Sequence, residues 1–186
     1  MQKIFLLAFS FLIFLLSFSI SLSTSKVAFA QKIAPPEETS INYELPYPGL
    51  LPDNPLYVLR VIRDRTVGFL ISSSLKKAEF NLLQADKRLN AGIYLFNKNK
   101  IPLSFSTISK AENYFEEAIE KIKQARKEGM NITEIVNKLR DAAKKHEEVL
   151  ISLGDRSPKN FKNNFESLRE RVVEFQKEVR KLKSKT

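Results

Sequence analysis

The chain has 186 residues, no cysteine and one histidine. That composition excludes a disulfide scaffold, a thiolate nucleophile, thiolate zinc sites and a lipid-acylated N-terminal cysteine, and one core of this size buries roughly two-thirds of the unfolded surface without staples. The 31 Lys+Arg against 21 Asp+Glu give a formal charge of +10, which favours polyanions such as lipid headgroups, wall polymers or nucleic acid as casual partners and carries no information about fold.

Residues 1–30 have the layout of a secretory signal peptide. Lys3 lies near the start, an apolar run follows from Ile4 to Ile20, and Ala28-Phe29-Ala30 is a small-x-small cleavage site that leaves Gln31 as the new N-terminus. Cleavage removes Lys3 and Lys26 and leaves 29 basic against 21 acidic residues, a charge of +8. The competing reading is an uncleaved anchor, because the run approaches the about 20 residues of a spanning helix. The expected address is therefore secreted or extracytoplasmic, with a membrane-anchored form as the alternative. Six of the eight prolines fall between Pro35 and Pro55, and with Glu37, Glu38 and Ser40 they predict a solvated, extended linker over residues 31–54.

Pro55 opens a short leading helix, Leu56 to Leu70, with Asn54 as its cap and Ser72-Ser73-Ser74 as the break after it. Arg60, Arg63 and Arg65 among Tyr57, Val58, Leu59, Ile62 and Phe69 admit membrane-surface contact, but packing back on the rest of the domain is the expected docking. Four heptad seams follow. Leu75, Ala78, Leu82, Ala85, Leu89, Gly92 and Phe96 form the first; Ile108, Ala111, Phe115, Ala118, Ile122 and Ala125 form the second, stopping before Gly129, which suits a left-handed helix cap. The third, Ile132, Ile135, Leu139, Ala142, His146, Val149 and Leu153, begins after Asn131 as cap with Glu134 reaching back, and Gly154 closes it. The fourth, Phe161, Phe165, Leu168, Val172, Phe175, Val179 and Leu182, follows Ser157 as N-cap and Pro158 at the first helical position. The fold class is all-α: an antiparallel up-down bundle of four long helices with a short leading helix over residues 55–186.

No catalytic, cofactor or metal site emerges from these residues. A di-iron bundle needs Glu-x-x-His pairs, and position 143, three before His146, is alanine; Met130, the only methionine beyond Met1, falls in a turn and makes a poor second haem ligand. His146 is expected to be a seam residue at a packing boundary with one nitrogen hydrogen-bonded, whose replacement by glutamine costs at most about 2 kcal/mol. The ladder Glu166, Glu170, Glu174 and Glu178 reads as surface ion pairing, and Glu112, Glu116, Glu117 and Glu120 read as a solvated face. Lys177, Arg180, Lys181, Lys183 and Lys185 are candidate polyanion contacts, without the interleaved aromatics that would specify nucleic acid, and they also suit a helix C-terminus. Asn131-Ile132-Thr133 matches a glycosylation sequon, but helix capping explains the asparagine.

The stretch PGLLPDNPLY, Pro48 to Tyr57, with Lys77-Ala78-Glu79, Arg88-Leu89 and His146-Glu147-Glu148-Val149-Leu150, resembles a family of exported bacterial proteins of unknown function. Their mature domain opens with a Pro-Gly, Leu-Pro-Asp and Pro-x-Tyr pattern and continues as a helical bundle. The resemblance implies export and a bundle and brings no reaction or cofactor. The function expected is a non-catalytic interaction or structural module of the cell envelope, its partner an unknown protein or an anionic envelope component. A polyanion-binding or chaperone-like role is the alternative, an enzyme the least favoured class, and the oligomeric state is open.

Overall fold

The computed structural model of the protein describes residues 42–183, so the segment expected to be a signal peptide, the expected cleavage residues Ala28, Ala30 and Gln31, the first part of the expected linker, and Lys185 lie outside the described residues. Within that range all regular structure is helical: α1 Tyr57–Leu70, α2 Ser74–Asn97, α3 Ile101–Lys127, α4 Thr133–Asp155 and α5 Lys159–Lys183. The helices pack on one another into a bundle. α2 lies chiefly against α3 and α4 chiefly against α5, while α3 also touches α5 and α2 also touches α4.

The seams form the core. Their apolar members are at most 9% exposed except Leu75 and Phe161, which open the first and last seams and are partly exposed. Aromatic rings lock the layers: Phe115 stacks on Phe175 at 5.5 Å and 8°, and Phe165 meets Phe96 and Phe105 edge-on at 6.0 and 5.9 Å.

The helix ends follow local chemistry, with several departures from the sequence expectation. Ser73 Oγ accepts from Lys76 N at 3.5 Å, which places the break before α2 where the sequence put it, whereas Asn54 does not cap α1: its Oδ1 accepts from Leu56 N at 2.9 Å, and Leu56 is the residue that precedes the first helical turn. Gly129 closes α3 at φ 76°, with Met130 N donating to Ala125 O and Gly129 N to Arg126 O, each at 3.0 Å, the paired bonds of a glycine-terminated helix. Asn131 Oδ1 accepts from Thr133 N at 3.0 Å, but Glu134 pairs with Lys138 at 2.7 Å instead of reaching back. Gly154 does not close α4; it is helical and faces α5, where an added Cβ would sit 3.6 Å from Phe165 Cβ. Ser157 does not cap α5 either, because its hydroxyl donates to the orphan carbonyl of Leu153 at 2.6 Å.

Gly92 marks a close approach of α2 and α3. A Cβ there would overlap the Ile108 side chain, and Ser104 Oγ donates to Gly92 O at 2.8 Å across the same contact. Alanine gains up to about 1 kcal/mol of helix propensity, but overpacking a rigid seam costs about 1–3 kcal/mol. Gly92→Ala is therefore expected to lower stability by about 1–2 kcal/mol in urea unfolding, and a variant more stable than the parent would disprove the close contact.

Residues 42–56 are irregular, and they form a packed strap rather than part of the solvated linker expected over residues 31–54. Tyr43 and Leu45 pack on the core, and Asn90 Nδ2 donates to Pro46 O at 2.9 Å. Lys98 and Lys100 hold Asp53 at 3.2 and 2.9 Å, and the Arg60 guanidinium donates to Pro48 O and Leu50 O. Prolines remove backbone donors, so the strap is held by its carbonyls and by two side chains, Tyr43 and Asp53.

Candidate functional site

The centre of the bundle holds charge. His146 on α4 is fully buried, with Nδ1 2.9 Å from Glu112 Oε1 on α3 and Nε2 3.1 Å from Asp86 Oδ1 on α2. Asp86 Oδ2 accepts the Tyr43 hydroxyl at 2.6 Å, and Phe115 covers the imidazole edge-on at 5.0 Å. A neutral imidazole has one donor nitrogen and one lone pair, so a ring between two carboxylates satisfies both only as the imidazolium. Burial pushes the ring's pKa down, but the charge of Glu112, the hydrogen bonds to Asp86 and Glu112 and the charge of Asp86 outweigh it and raise it to about 9. Burial, then the charge and hydrogen bond of Asp86, keep the Tyr43 phenol protonated well above its usual range.

This geometry corrects two expectations. His146 uses both nitrogens and lies in the interior, not at a packing boundary, and Glu112 is fully buried rather than part of a solvated face, whereas Glu116, Glu117 and Glu120 are exposed. With both ring nitrogens donating, no lone pair remains for a metal ion. The arrangement ties α2, α3, α4 and the strap to one cation. Among the described residues Glu112 Oε2 has no hydrogen-bond partner, so the imidazolium is the main compensation for that carboxylate. Beside it, Arg88 is buried with its guanidinium 4.1 Å above the Tyr114 ring and Nη1 2.6 Å from Gln84 Oε1.

The second unusual surface is α1, whose amphipathicity is inverted. Arg60, Asp64 and Gly68, spaced by four, face inward; Arg60 Nε lies 3.5 Å from Asp64 Oδ2, and the Lys77 ammonium donates to Gly68 O. The apolar residues face out: Val58, Leu59, Ile62, Phe69 and Leu70 are 56–87% exposed. The expectation that this helix buries its apolar side on the bundle is thus overturned, because the polar stripe has the better partners, in the carbonyls of the strap and the side chain of Lys77.

The remaining sequence candidates are peripheral. Lys177, Arg180 and Lys181 are exposed on the last turns of α5; Lys177 pairs with Glu174 at 2.6 Å and Arg180 contacts Gln176 at 3.4 Å, and the side chain of Lys183 lies outside the described residues. In the glutamate ladder Glu166 pairs with Arg169 at 2.5 Å and Glu178 crosses to Lys123 at 2.8 Å.

These features define a helical-bundle domain with a walled-in ionic centre and an outward apolar helix. Residues 49–160 match the family described as a domain of unknown function, DUF5667, and the chain belongs to that family. The matched span contains Asp86, Glu112 and His146 and begins after Tyr43. Comparison with curated proteins and with solved structures yields no match.

Proposed function

We propose that the protein is an exported, non-catalytic module of the cell envelope that acts by presenting a surface. The observation that carries this reading is α1, a helix held by its polar face so that its apolar face is offered to a partner. The burial of His146 and Glu112 supports a structural role for the ionic centre, since a general acid or base must reach its substrate. We read the four long helices as running up-down-up-down. In support, Ser74 meets Glu128 and Gly92 meets Ser104 in opposite order along α2 and α3, while Phe105 meets Phe161 and Phe115 meets Phe175 in the same order along α3 and α5. In that reading α3 and α4, consecutive in the chain, lie on a diagonal, because α2 and α5 are the main neighbours of both.

Export rests on the leader, and among the described residues no helix is long and apolar enough to cross a membrane. The mature protein is expected to begin at Gln31, as intact-mass analysis of secreted or envelope material would show. Met1 retained in a membrane fraction would establish the anchored alternative, and recovery of the chain in the cytoplasm would overturn the envelope reading.

A further inference from the structure

We propose that α1 docks the protein on an anionic lipid bilayer, its apolar face lying at the boundary between headgroups and acyl chains. The inference rests on the envelope reading above, which puts the domain where a bilayer surface is within reach. On a helical projection Val58, Leu59, Ile62 and Phe69 fall together opposite Arg60 and Asp64, and Phe69 alone is 87% exposed. The exposed Arg63 and Arg65 flank this stripe on either side, while the helix's only acid, Asp64, is buried between Arg60 and Arg63. An apolar face with a cationic rim is the pattern of a helix that lies in a membrane interface, its apolar side chains among the acyl chains and its guanidinium groups against phosphates.

A second copy of the chain fits the same face less well. A fourteen-residue helix is about 21 Å long, and one face of it offers far less than the roughly 800 Å² per partner of a standard protein interface. Two such faces would also bring arginine rims together with no exposed acid on the helix to answer them. Nor can the helix roll to hide its apolar side, because Arg60 is bound to the carbonyls of Pro48 and Leu50 and Lys77 to the carbonyl of Gly68.

The sequence provides its own probe site, since it contains neither tryptophan nor cysteine. In the full chain, Phe69→Trp places a single indole on the proposed face, and Ile151→Trp places one on an exposed position of α4 as control. With vesicles of phosphatidylglycerol and phosphatidylcholine, emission from the α1 indole should shift to the blue and be quenched by brominated acyl chains, while the α4 indole should be unchanged. Adding Leu59→Ser and Ile62→Ser should reduce that quenching by roughly tenfold with an unaltered circular dichroism spectrum. Emission that ignores vesicles, equal shifts at both positions, or quenching that survives the serine pair would each overturn the proposal. A blue shift that grows with protein concentration in the absence of lipid would assign the face to a second copy instead. These outcomes are independent of the intact-mass and fractionation result, so bilayer docking and export fail separately.

Discussion

Replacing His146 with alanine should destabilise the domain by about 3–5 kcal/mol, the range for breaking a buried ion pair by removing one partner. The imidazolium is the shared donor to Asp86 and Glu112, and its loss leaves two buried carboxylates facing each other across a cavity beside Phe115. Glutamine restores volume and a donor but not the charge, so His146→Gln should also cost more than the about 2 kcal/mol appropriate to an ordinary packing residue. Urea unfolding gives the values directly, provided the m-value is unchanged. Removing the whole network together, as Asp86→Asn/Glu112→Leu/His146→Leu, should recover most of the loss, because no buried charge is then left alone and Tyr43 keeps an acceptor. A His146→Ala variant within about 1 kcal/mol of the parent would rule out the ionic centre as a determinant of stability.

Stability should fall as pH rises above neutrality. The ring of His146 is held at about 9 in the folded chain against an ordinary 6.5, so folding favours its protonated form. The contribution is complete below about 6.5 and disappears as pH climbs through about 9. At about 1.4 kcal/mol per pH unit, the gap amounts to about 3 kcal/mol, on the order of 10 °C in Tm for a domain of this size. The groups facing the ring are Asp86 from α2 and Glu112 from α3, with Tyr43 from the strap behind Asp86. Thermal melts across this interval, with His146→Gln in parallel, separate the effect from titration of surface lysines: the parent should lose stability and the variant should follow a flatter curve. Equal slopes would sink the assignment.

The bundle was legible because its seams are long and strictly periodic, and a stripe from Ile108 to Ala125 leaves only one side of a helix for the interior. The ionic centre was not, because its acids sit beside the seam. Asp86 follows Ala85 and Glu112 follows Ala111, so each occupies a position that usually reaches solvent. Both neighbours are seam alanines, small enough to let the next side chain turn inward, and that pairing with the one seam histidine is the signal in the sequence. α1 was misjudged for the converse reason. Arg60, Asp64 and Gly68 recur every four residues, as an inward stripe should, but apolar residues outnumber them on the opposite side and the carbonyl partners lie twelve and ten positions upstream. Periodicity finds a stripe, and it reports which way the stripe faces only when the partners are known.

The strap has a mechanical consequence. Its partners along α2 and the turn that follows it come in the same order as its own residues, Tyr43 to Asp86, Pro46 to Asn90 and Asp53 to Lys98 and Lys100. Tension arriving from upstream of residue 42 and directed along α2 would therefore stretch these links together, in shear, instead of peeling them one by one. The first link to feel that force is the phenol on Asp86, and Asp86 also holds the buried imidazolium. A tug at this end is thus transmitted through a single carboxylate to the middle of the bundle, where slipping of the strap takes the Tyr43 hydrogen bond from Asp86, a partner of the imidazolium that joins three helices.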